Sequence, residues 1–163
     1  MKPVCIIPAR GNSKRLKEKN IYKVWNKPMI FWSMNAAKKS KYIKNIYVSS
    51  ENDKILKIAK NLKVKTIIRP EILSDDKVFK MDVIAHATKY IERKYGKPDI
   101  VVSIQANSPE ISVKDIDGAI KHMIKYDRHE VVSVDNNGNQ NAAIRTMLYN
   151  TVFQRTLSTK VGF

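Results

Sequence analysis

Val4-Cys5-Ile6-Ile7-Pro8-Ala9-Arg10-Gly11-Asn12-Ser13-Lys14-Arg15-Leu16-Lys17-Glu18-Lys19-Asn20 changes character after its fifth residue. Residues 4 to 8 are apolar, rich in β-branched side chains and closed by proline, which predicts a buried strand. Residues 9 to 20 are polar and nearly free of apolar side chains, which predicts a long loop. Working outward, the same alternation repeats. Apolar residues from Met29 to Ala37 recur at helical spacing behind Pro28, which suits a first helical turn, and predict a crossover helix over 29 to 39. A second short strand follows at 46 to 50. Asn52 then caps a helix whose Ile55, Ile58, Ala59 and Leu62 share one face. Residues 64 to 68 read as a third strand, and a helix over about 80 to 95 ends at Gly96. Residues 100 to 104 are apolar at nearly every position, as in a central strand covered on both faces. Ser112 with Asp115 resembles a capping box, and Ile116, Ala119, Ile120, Met123 and Ile124 stripe the helix that follows. Residues 131 to 134 close the series as a fifth strand. This order predicts an α/β fold, an open and mainly parallel sheet with helices on both faces. Residues 135 to 141 read as polar turn, and 142 to 163 contain short pieces without an assembled pattern.

The 163 residues suit one domain, and 43% hydrophobic with 28% charged side chains excludes wholesale disorder. Apolar runs stay far below the ~20 residues of a membrane helix, so no membrane partner is expected. The N-terminus lacks a signal peptide's pattern, and a cytoplasmic location is expected. The single cysteine, Cys5, excludes an intrachain disulfide and reads as a small buried hydrophobe. His86, His122 and His129 are scattered, without zinc-like spacing.

Lys and Arg number 31 against 15 Asp and Glu, a net charge of +16 that favours an anionic partner. Nucleic acid is disfavoured by an aromatic content of 8% without a stacking pattern and by the lack of any recognition motif. Many lysines decorate the polar faces of the expected helices, but the loop after the first strand concentrates Arg10, Lys14, Arg15, Lys17 and Lys19 around Gly11. Backbone donors beside mobile or bidentate cations are what a polyphosphate requires. The loop has neither the Walker nor the dinucleotide glycine pattern. In open parallel sheets, ligands bind beyond the carboxyl ends of the strands, where this loop lies.

The stretch IIPARGNSKRLKEKN resembles the N-terminal signature of the cytidylyltransferases that activate acidic sugars, the CMP-sialic acid synthetases and their relatives for legionaminic, pseudaminic and ketodeoxyoctonic acids. KYIKNIYVSSEND, IIRPEILSDD and VVSIQANSPEISVKDID fit the same acylneuraminate cytidylyltransferase family in order, and the four stretches span residues 1 to 134. The resemblance implies that Ala9, Arg10, Gly11, Asn12 and Lys14 lie along the nucleotide and that Arg10 and Lys19 engage the triphosphate as the catalytic cations. It further implies that Asn20 contacts ribose or phosphate, that Arg69 lies near the cytosine, and that Asp76 matches an acidic loop position. Gln105, with Asn107 beside it, is implied to face the sugar. Each has a plainer rival: Arg69 pairing with Glu71, Asp76 capping a helix, Gln105 satisfying a backbone group.

The stretch also departs from the family. Asn12 replaces the usual second glycine, Lys17-Glu18 a Pro-Gly pair, Glu110 a basic residue, and Lys80 a small hydroxyl residue near the base. The resemblance implies CTP and an acidic sugar as substrates, Mg²⁺ as cofactor, and a homodimer. Its carboxylate-rich later segment is not matched, so residues 1 to 163 are expected to be a single nucleotide-binding domain lacking the family's C-terminal part. The expected activity is transfer of CMP from CTP to an eight- or nine-carbon acidic sugar with release of pyrophosphate. The alternative is a catalytically impaired CTP-binding remnant.

Overall fold

Alternating buried strands and amphipathic helices do assemble into a sheet with two covered faces, in a computed structural model that describes residues 1–11, 13, 16–75, 77–154 and 160–163. The first strand, β1 (Pro3–Pro8), is followed by a small hairpin of β2 (Lys23–Val24) and β3 (Lys27–Pro28), and then by helix α1 (Met29–Lys39). Next come β4 (Asn45–Ser50), α2 (Asp53–Asn61), β5 (Lys65–Ile68), α3 (Lys80–Tyr95), β6 (Ile100–Ile104) and α4 (Val113–Lys125). The chain ends with β7 (Glu130–Val134), β8 (Gln140–Leu148) and β9 (Val161–Gly162).

Local signals set the helix ends. The Asn52 side chain accepts from the Lys54 and Ile55 N–H groups at the start of α2, Ser112 and Asp115 form the reciprocal capping box of α4, and Gly96 leaves α3 at φ 92.

The main sheet has the order β5-β4-β1-β6-β8-β7-β9. β1 pairs in parallel with β4 on one side and β6 on the other, and β4 in parallel with β5. One expectation needs correction. Residues 131 to 134 form the expected strand, but residues 140 and 141, read as polar turn, and 142 to 148, left without a pattern, form the long strand β8, which runs antiparallel between β6 and β7. β8 escapes a reading by hydrophobic pattern because it opens on exposed Gln140 and Asn141 and carries Arg145 in its middle. The nearly buried Glu130 of β7 neutralises that arginine across the sheet.

Cys5, Ile7, Val48, Ile100, Val102 and Ile104 point to one face, against Ile30 and Met34 of α1, Ile55 and Ala59 of α2, and Ile116 and Ile120 of α4. Val4, Ile6, Tyr47 and Val101 point to the other, against Met81, Ile84, Ala87 and Ile91 of α3. Cys5 is fully buried, and burial pushes its thiol well above the ordinary range. Ile124 falls off the expected stripe of α4 and is exposed. Truncating a core isoleucine such as Ile84 to alanine costs about 2–5 kcal/mol. Among the described residues no helix is long and apolar enough to cross a membrane. From β1 the chain moves outward to β4 and β5, then returns to β6 on the opposite side of β1. The carboxyl ends of β1 and β6 therefore flank the point where the winding reverses, which is where a crevice opens in such sheets.

Candidate functional site

The loop leaving β1 is tied down before it reaches solvent. The Ala9 N–H donates to the Ser49 carbonyl at 2.9 Å, and the Gly11 N–H donates to Glu51 Oε1 at 2.6 Å. Gly11 is required by close approach: a Cβ there would lie 2.4 Å from Asn52 Nδ2 and 2.7 Å from Asn52 Cβ, on the side chain that caps α2. Further along, Lys54 Nζ meets Glu18 Oε1 at 2.6 Å, and Asn20 Nδ2 donates to the Arg10 carbonyl at 2.8 Å. The loop is thus fixed to the end of β4 and the start of α2 and closed upon itself.

Arg69, just past β5, is 5% exposed, and its guanidinium donates to Glu51 Oε2 at 2.5 Å. Its ion pair is therefore with Glu51 and not with its sequence neighbour Glu71. Burial pulls the Glu51 carboxyl upward, but the Arg69 hydrogen bond and the Gly11 N–H outweigh it and hold the group below the ordinary carboxylate value. Arg69 Nε is buried and without a hydrogen-bond partner among the described residues.

A cavity of about 600 Å³ opens here. Arg10, Ser13, Lys19 and Asn20 line it from the β1 loop, Arg69 and Asp75 from the segment after β5, Lys80 and Val83 from α3, and Gln105 with Asn107 from the end of β6. The Gln105 backbone is fixed on both sides: its N–H donates to the Ala143 carbonyl and its carbonyl accepts from Ser33 Oγ at 2.7 Å. Its side-chain amide reaches the Asn141 carbonyl only at 3.5 Å. Burial, and then the charge of Arg145, push the Lys80 ammonium down to about 8.

Of the residues expected at the site, Arg10, Lys19, Asn20, Arg69, Gln105 and Asn107 line this one cavity, although they come from three separate stretches of sequence. Ala9 and Gly11 are buried beneath the loop. Asn12, Lys14 and Asp76 lie outside the described residues. Asn107 also borders a second groove lined by Glu110, Lys114, His122 and Phe163. One participant, Glu51, escapes sequence reasoning altogether, and Lys80 enters it only as a departure from the family near the base. Glu51 directly follows a parallel strand, the same kind of placement that singled out the loop holding Arg10, and that rule was the signal available for it.

The profile of the family described as Cytidylyltransferase matches residues 4–158. The chain belongs to the cytidylyltransferase family. It is 34% identical over 117 residues to a pseudaminic acid cytidylyltransferase of Campylobacter jejuni subsp. jejuni serotype O:2, covering 71% of this chain and 50% of that protein. It is 33% identical over 125 residues to a 3-deoxy-manno-octulosonate cytidylyltransferase of Chloroherpeton thalassium, covering 77% and 47%. The chain spans half or less of the length of these curated relatives. Its fold is that of a CMP:2-keto-3-deoxy-manno-octonic acid synthetase solved in complex with CTP, at a TM-score of 0.77 and 17% identity, covering 98% of this chain and 80% of that one. The likeness shows the fold, an open and mainly parallel sheet with helices on both faces.

A magnesium ion takes oxygen ligands, using one or two carboxylates and otherwise waters and phosphate oxygens. Among the described residues no group of three or more His, Cys, Asp or Glu side chains stands ready for a metal, and Asp75 is the carboxylate lining the cavity. These side chains do not fit a magnesium ion held by protein groups alone.

Proposed function

We propose that this chain binds CTP and transfers CMP to an acidic sugar, releasing pyrophosphate. One observation carries the reading: Arg10, Lys19, Arg69 and Gln105, drawn from the ends of three different strands, converge on a single cavity at the point where the sheet's winding reverses. In the reaction, the sugar's anomeric oxygen bonds to the α-phosphorus and the bond from that phosphorus to the bridging oxygen breaks. Pyrophosphate leaves with the electron pair, and the hydroxyl proton passes to water. Arg10 and Lys19 hold the triphosphate in line and offset the negative charge that grows on the leaving group. Arg69 fixes the base end through its unpartnered Nε, braced by Glu51, and Gln105 orients the sugar. Magnesium belongs to this reading as a counter-ion carried by the triphosphate on phosphate oxygens and water, and no step above runs through it. A cytoplasmic location and a homodimer complete the reading.

The test is calorimetry with CTP, UTP and ATP, together with a pyrophosphate-release assay across acidic sugars. CTP-selective binding with sugar-dependent release is expected. Binding of ATP with none of CTP would refute the assignment of the base, and CTP binding without release from any acid would reduce the chain to a nucleotide-binding module.

A further inference from the structure

Lys80 is held where the unliganded protein gains nothing from its charge. It is the first residue of α3, where the helix dipole opposes a cation, it is half-buried, and Arg145 of β8 adds like-charge repulsion. Among the described residues it has no carboxylate partner. Glu130 of β7 is engaged with Arg145, and the cavity's exposed Asp75 accepts the Lys77 N–H. Among the described residues the one hydrogen bond Lys80 makes is long, 3.4 Å to the Ala142 carbonyl. The other charged groups lining the cavity, Arg10, Lys19 and Arg69, are all cationic.

The backbone under Lys80 is unusual. Ala142 adopts φ +51, a left-handed conformation that costs an L-residue about 1–2 kcal/mol, beside a register shift between β7 and β8. Around that kink, the carbonyls of Asn141 and Ala142 meet the side-chain donors of Gln105 and Lys80 respectively. An amide and an ammonium are therefore assembled on one lip of the cavity, built from α3, β6 and β8. Arg10 and Lys19 come from the β1 loop instead. A ligand that meets the Gln105 lip presents its own anionic group to Lys80 while its nucleotide partner occupies the other cations.

We propose that Lys80 is the residue that reads the carboxylate of the acidic sugar, a reading that rests on the proposed function. A carboxylate accepts both an ammonium and an amide N–H, and it supplies the negative charge that this position otherwise lacks. The family resemblance puts a small hydroxyl near the base at this position, whereas the longer lysine side chain reaches away to the Ala142 carbonyl of β8, and that reach makes it a specificity-determining residue for the sugar.

The test uses the 163-residue chain with magnesium and a saturating α,β-methylene analogue of CTP, which cannot release pyrophosphate, so that the heats report binding alone. Pseudaminic acid, 3-deoxy-manno-octulosonic acid, N-acetylneuraminic acid and the methyl ester of each are titrated by calorimetry into wild type, Lys80→Met and Lys80→Arg. The wild type is expected to prefer at least one acid over its ester by roughly 10- to 150-fold, the span of a charged hydrogen bond. Lys80→Met should abolish most of that preference and lower acid affinity well beyond any change in CTP affinity, and Lys80→Arg should keep part of the preference. Without ligand, Lys80→Met should melt at a higher temperature than wild type, since a disfavoured charge is gone. The proposal is overturned if acid binds no better than ester, if Lys80→Met retains the preference, or if CTP affinity falls as far as acid affinity. It is also overturned if Lys80→Met melts lower or fails to fold, because the lysine is then structural. A wild type that binds no CTP refutes the proposed function itself, a separate and distinguishable result.

Discussion

Removing Glu51 should loosen both walls of the proposed nucleotide site at once. Its two oxygens serve different segments: Oε1 accepts the Gly11 N–H at 2.6 Å and Oε2 accepts the Arg69 guanidinium at 2.5 Å. In Glu51→Ala a guanidinium that is 5% exposed loses its counter-charge. Cutting a buried pair by deleting one partner costs about 3–5 kcal/mol, and because Glu51 keeps 22% of its surface in solvent the low end applies. The orphaned Gly11 N–H adds about 1 kcal/mol, giving a total of about 4 kcal/mol. At 2–4 °C per kcal/mol for a chain of this size, the melting temperature should fall by roughly 8–16 °C. Glu51→Gln keeps the shape and one acceptor and should lose about half as much. CTP affinity should drop by about 10-fold in either variant, because Arg69 and the β1 loop are no longer held in mutual register. Thermal melts followed by circular dichroism, with CTP calorimetry on the folded variants, measure both effects. If Glu51→Ala melts within 2 °C of wild type and binds CTP as well, the carboxylate is no brace and the argument is wrong.

Gly11→Ala should be destabilised by about 2 kcal/mol, since its Cβ would displace Asn52 from the cap of α2; an unchanged urea midpoint would contradict the close approach. Because the folded Glu51 carboxyl sits below its ordinary value of 4.5, the stability it confers is complete above that pH and fades as pH falls through the folded value. Urea midpoints measured from pH 6 to pH 3 should therefore decline more steeply for wild type than for Glu51→Gln. Lys80 has the opposite consequence. Its folded value of about 8 lies below the ordinary 10.5, so the unfolded chain holds the extra proton in between and stability should rise with pH across that window; Lys80→Met should flatten the rise. Ala142→Gly should relieve the left-handed strain and stabilise the protein by about 1 kcal/mol in the same urea assay.

Elements whose signals are local were legible in the sequence. The run from Val4 to Pro8, the Asn52 cap, the Ser112–Asp115 box and Gly96 each act within a few residues, and the structure reproduces each of them. β8 was not legible, because its stability comes from neighbours on both sides and its Arg145 is tolerable only diagonally beside Glu130, 15 positions earlier. The site divides in the same way. Arg10 could be found because the basic loop that leaves the first parallel strand is a candidate by position, whereas Arg69 and Gln105 are implied by the family resemblance of the stretches that hold them. Glu51 could not be given its partner, since pairing it with Arg69 over Arg10 or Lys54 depends on how β4 and β5 lie side by side. The value of Lys80 emerges only once the carbonyl of Ala142 is brought to it from 62 residues away.

The reversed direction of β8 separates two kinds of change. Its first residues, not its last, arrive at the cavity, and they are delivered by a tight turn that Asp135 organises through the N–H groups of Asn137 and Asn139. Lengthening or shortening that turn by one residue would slide the Asn141 and Ala142 carbonyls past Gln105 while leaving the β1 loop and the Glu51 brace where they are. The lip of the cavity built on β6 and β8 can thus drift on its own hinge, and the wall built by the β1 loop need not follow.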